Sequence, residues 1–128
     1  MTKNDLVSAL KIQAKRDFEA AESLFTSKKY TYALFFCQLT IEKLLKALIV
    51  KKTNKIYPPI HDLIKLTEQA KLKTSVSKQA ELQEIVSWNI KARYDTVKLE
   101  FYKKANKEFT KKWLQKVEKI IQWLKNQF

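Results

Sequence analysis

The chain has 128 residues, 45% of them apolar, with 24 lysines, 2 arginines and 13 acidic residues, for a formal net charge of +13. It contains no glycine, one cysteine, one histidine and two prolines. These counts exclude an internal disulfide, a glycine-rich phosphate loop and a clustered His/Cys metal centre, and the length fits one domain over residues 1–128 with its own core.

Apolar spacing is helical throughout, and strand alternation appears over no useful length, so the expected fold is all-α. Thr2-Lys3-Asn4-Asp5 can cap a first helix, whose apolar positions Leu6, Leu10, Ala14, Phe18, Ala21 and Phe25 recur every three or four residues. That helix ends near Ser27-Lys28-Lys29. A second helix, from about Tyr30 to Lys51, is apolar almost all round, which places it in the middle of a bundle. Gln38, Glu42, Lys43 and Lys46 interrupt that surface. Glu42 and Lys46 form an i,i+4 pair in the favourable order, and Gln38 sits one turn before Glu42 on the same face. Cys37, within "YALFFCQLTI", reads as a buried, inert thiol in a reducing compartment.

Pro58 and Pro59 close the next loop, and a short helix begins near His61-Asp62 and runs to about Lys71. Asp62 puts negative charge at the positive end of that helix, and either His61 or Asp62 can cap it. A fourth helix runs from about Ser77 to Ala92 and leads into "ARYDTVKLEFYKK". The last helix, from about Asn106 to Gln127, carries a clean stripe of Phe109, Trp113, Val117, Ile120, Ile121 and Leu124, with its lysines mostly off that stripe. The expectation is therefore an antiparallel bundle of four long helices plus a short one.

The N-terminal stretch has no apolar block of the signal-peptide kind, and no run approaches the roughly 18 apolar residues of a membrane span, so a soluble, cytoplasmic protein without a membrane partner is expected. Charge is spread evenly, with +6 on residues 1–60 and +7 on residues 61–128. Such a field attracts polyanions without naming one, and the preference for lysine over arginine fits a lysine-rich proteome as well as a binding surface. Trp88, Trp113, Trp123, Phe101, Phe109 and Phe128 exceed what five short-to-medium helices easily bury, so some are expected to line a homodimer interface.

Three stretches together resemble the HEPN family (higher eukaryotes and prokaryotes nucleotide-binding). "YALFFCQLTIEKLLKALI" is similar to its Tyr…Ala…Gln-x-x-x-Glu-Lys-x-x-Lys-Ala helix, through Tyr32, Ala33, Gln38, Glu42, Lys43, Lys46 and Ala47. "PPIHDLIKL" resembles its Pro-x-x-His-Asp-Leu segment, and "ARYDT" its Ala-Arg-Tyr element at Ala92, Arg93 and Tyr94. The resemblance implies a helical bundle, a homodimer and, in many members, metal-independent RNA cleavage by an arginine followed after four to six residues by a histidine. Here the positions that far beyond Arg93 are Lys98, Leu99 and Glu100, and beyond Arg16 they are Ala21, Glu22 and Ser23, so that motif is incomplete. Members most like this chain are commonly encoded beside a minimal nucleotidyltransferase, as a toxin–antitoxin-like pair. In some pairs the transferase adds AMP to a tyrosine of its partner. Tyr94 and Tyr102 are candidates by neighbourhood only.

Three functions remain open at this point. In the first, the chain is a non-catalytic dimerising module that works with a nucleotidyltransferase and binds nucleotide phosphate through Arg93, Tyr94, Asp95, Lys43 and Lys46, with no cofactor and no metal site. Against that stands a structural role for Arg93, paired inside the bundle with Asp95 or Glu42. In the second, His61, Arg93 and Asp95 converge as a catalytic group of an RNase toxin, since histidine is the usual proton-moving group near pH 7. The third is a basic RNA- or DNA-binding accessory protein contacting phosphates through Lys43, Lys46, Lys51, Lys52 and Lys55.

Overall fold

The computed structural model describes the side chains of residues 1–94 and 99–128. The described residues form six helices and no strand: α1 (Lys3–Thr26), α2 (Tyr30–Thr53), α3 (Leu63–Gln69), α4 (Val76–Lys91), α5 (Asp95–Lys104) and α6 (Lys107–Lys125). Four are long and agree with the sequence reading, as does the short α3. The addition is α5, which has no stripe of the α6 kind to announce it. It docks through Phe101, 2% exposed.

Local chemistry fixes the helix starts. Thr2 and Asp5 form a reciprocal capping box on α1, and Ser75 and Asn106 cap α4 and α6. Asp62 rather than His61 caps α3, its Oδ1 accepting from the N–H groups of Ile64 and Lys65. α2 alone among the long helices starts without a side-chain cap. With no glycine available, three helix exits put other residues in the left-handed region: Lys28 (φ 63°), Asn54 (φ 57°) and Lys71 (φ 58°).

α1 and α2 make an antiparallel hairpin. Lys3 Nζ donates to the Asn54 carbonyl at one end, Lys43 pairs with Asp17 at 2.6 Å near the middle, and Phe25 meets Tyr30 at the turn. α2 is the centre of the bundle: it packs against all five other helices, and 15 of its 24 residues are buried. This is the physical reason its sequence is apolar on nearly every side. α6 contributes Trp113, Val117, Ile120, Ile121 and Leu124, as its stripe predicts.

The aromatic argument for a subunit interface needs correcting. Trp88 is fully buried and Trp113 is 8% exposed, the two rings meeting edge to face at 5.3 Å. Phe101 is buried, and Phe109, Trp123 and Phe128 are half-buried against the core. Lysine ammonium groups lie over three of these rings, Lys78 over Trp123, Lys116 over Trp113 and Lys11 over Phe128. One chain therefore houses all six rings, and their number alone does not demand a partner.

Candidate functional site: a buried carboxylate linked to two surface groups

Glu42 stands in the middle of α2, where a lone carboxylate would be costly. It is 5% exposed, and three donors converge on it. Gln38 Nε2 donates to Oε1 at 2.9 Å and Lys46 Nζ to Oε2 at 2.8 Å, both from one turn away on the same helix. The third is His61, whose Nδ1 reaches both oxygens at 3.0 Å. The proline-rich loop brings it there, folding back through a bond from the Ile60 N–H to the Pro58 carbonyl. Burial pushes the Glu42 carboxyl up, but the bonds from Lys46, Gln38 and His61, together with the Lys46 charge, outweigh burial and hold it below its ordinary 4.5.

The network continues away from Glu42. Gln38, fully buried, accepts at Oε1 from Asn89 Nδ2 of α4 at 3.1 Å. Asn89 Oδ1 in turn accepts from the guanidinium of Arg93 at 3.3 Å, one helical turn on. Among the described residues a continuous chain of hydrogen bonds thus runs from the exposed Arg93 through Asn89, Gln38 and Glu42 to the imidazole of His61, whose side chain is 61% exposed. Lys46 closes the buried part and also sits 5.0 Å from the Tyr57 ring centroid.

The predicted site residues divide accordingly. His61, Lys46 and Arg93 join one network, though His61 bonds Glu42 and Arg93 bonds Asn89. Arg93 is thus not the partner of Glu42 that one expectation made it. Lys43 is tied to Asp17 on α1 and takes no part. Tyr94, 57% exposed, starts α5 beside Arg93, and Tyr102 is 68% exposed on the same helix. Asp95 lies outside the described residues. Sequence reasoning missed Asn89, although a polar residue four places before Arg93 was the available signal. No group of three potential metal-binding side chains exists among the described residues, and no helix among them is long and apolar enough to cross a membrane.

Chemically, the arrangement presents a cation at one end and an oriented imidazole at the other. Between them lies a carboxylate whose charge is neutralised by Lys46. A crystal structure of TT1696 from Thermus thermophilus matches this chain with a TM-score of 0.77 over 98% of each chain, at 16% identity, a likeness of fold alone. A search of curated proteins gave no match. The family model for the HEPN domain matches residues 7–127. With nearly the whole bundle inside that match, the chain belongs to the HEPN domain family.

Proposed function

We propose that this protein is a non-catalytic HEPN module that dimerises, acts with a nucleotidyltransferase in a toxin–antitoxin-like pair, and holds nucleotide phosphate at the Arg93–Tyr94 corner. The observation that carries the reading is the exposed Arg93 guanidinium, steered by Asn89 and followed at the family's spacing by no histidine. A guanidinium grips phosphate through two parallel N–H donors, and an adjacent exposed tyrosine offers a ring face to a base. Lys46 and Lys43 are already engaged by carboxylates, which leaves Arg93 as the principal phosphate contact. Calorimetric titration with AMP, ATP and GTP tests this. Binding should weaken by about tenfold or more in Arg93→Gln, with its circular dichroism unchanged. No heat at millimolar nucleotide overturns it. Sedimentation gives a second check, since a 15.2 kDa particle at micromolar concentration contradicts the dimer.

The Glu42–His61 pair favours one second reading. A carboxylate on Nδ1 fixes the tautomer that turns the other ring nitrogen outward as a proton acceptor, the arrangement general bases use. On this reading the chain is a metal-independent RNase with a displaced histidine. A metal-free RNA cleavage assay decides: equal rates for wild type and His61→Ala remove His61 from any mechanism.

A further inference from the structure

A cavity of about 500 Å³ opens where the α1–α2 turn faces the α5–α6 junction. Lys28, Lys29, Thr31, Tyr102 and Asn106 line it, and no described residue lining it carries a carboxylate. Donors are concentrated there. α2 has no side-chain cap and no acidic residue in its first turn. The Tyr30 and Thr31 N–H groups have no acceptor among the described residues. Asn106 spends its Oδ1 on the Phe109 N–H, leaving its amide N–H₂ over.

Thr31 supplies an independent sign. The residue is only 5% exposed, and its hydroxyl has no partner among the described residues. Yet every buried side-chain oxygen among them is partnered. The hydroxyl must therefore reach open space, and the space this residue lines is the cavity. A packed threonine with a free hydroxyl, in a cavity lined by the orphan first turn of a helix and by Lys28 and Lys29, fits an oxyanion. The exposed ring of Tyr102 adds a flat apolar wall.

We infer that this cavity is a second anion site, separate from Arg93, that takes a small phosphate monoester carried on a flat ring. The phosphate sits on the first turn of α2, against Thr31 Oγ1 and the Lys28 and Lys29 ammonium groups, and the ring lies along Tyr102.

The test is an amide-resolved NMR titration of the full chain with three probes: inorganic phosphate, ribose 5-phosphate and phenyl phosphate. All three should shift the Tyr30 and Thr31 amides saturably, with phenyl phosphate tightest. Thr31→Val and Lys29→Gln should each weaken all three by about tenfold. Tyr102→Ala should weaken phenyl phosphate alone, and Arg93→Gln should change nothing at these amides. Absence of saturable shifts at about 10 mM probe overturns the site, as does equal binding by Thr31→Val and Lys29→Gln. Loss of the shifts in Arg93→Gln would also overturn it, by making this cavity part of the Arg93 site.

Discussion

His61 Nδ1 lies 3.0 Å from each carboxylate oxygen of Glu42, so the histidine of a proline-rich loop completes the partners of a carboxylate in the middle of the most buried helix. The two residues stand 19 positions apart in the sequence. Their junction makes the Glu42 network both a piece of the core and the inner wall of the candidate site.

Acid should expose this role. The Glu42 pKa is lower in the folded chain than its ordinary 4.5. The unfolded chain therefore binds the extra proton first as pH drops. The stabilisation is complete above pH 4.5 and drains away as pH falls through the folded value. Urea midpoints from pH 6 to pH 3 should show this loss, and Glu42→Gln should flatten that part of the curve. At neutral pH the same substitution should cost about 3 kcal/mol, because Lys46 is left buried without a counter-charge.

Gln38 and Asn89 should behave as a coupled pair. Each holds the other at 3.1 Å across the α2–α4 contact. A double-mutant cycle with Gln38→Leu and Asn89→Ala should return a coupling of about 1 kcal/mol by chemical denaturation. Additive single effects would remove that bond from the stability of the bundle.

Lys71 leaves α3 with φ at 58°, a conformation that costs a side-chain-bearing residue. Lys71→Gly should stabilise the protein by about 1 kcal/mol and raise its Tm by about 3 °C in a thermal scan. The usual effect of introducing glycine is the opposite, so the sign alone is diagnostic.

Cys37 is fully buried, and burial pushes its thiol far above the ordinary range, with Glu22 adding to the effect. A thiol-specific disulfide reagent at pH 8 should leave the native protein unlabelled. Labelling should appear only in denaturant, in step with loss of helical signal.

The long helices were legible because one repeating pattern dictates each of them. α6 shows a single stripe, and α2 shows apolar residues on nearly every face. The Glu42–Lys46 pair and the neighbouring Gln38 could be read as well, since i,i+4 spacing within a helix is geometry known in advance. Three features could not. α5 is mostly polar, and among its described side chains Phe101 alone is buried, so no stripe marks it in the sequence. Lys43 looked equivalent to Lys46, yet one faces Asp17 across a helix pair and the other turns to its own helix. The Asn89–Gln38 bond spans 51 residues, and only the packing of α4 on α2 makes it. Pairings of that kind depend on how helices are rotated against one another, which residue spacing does not encode.

The edge-to-face meeting of Trp88 and Trp113 also equips the molecule with its own optical gauge. The two indoles, one on α4 and one on α6, stand 5.3 Å apart, close enough for their electronic transitions to mix. Near-ultraviolet dichroism should carry a signature of that mixing. It would vanish if the C-terminal helix lifted off while the others kept their coil, so detachment of one helix can be told from melting of all six without attaching a label.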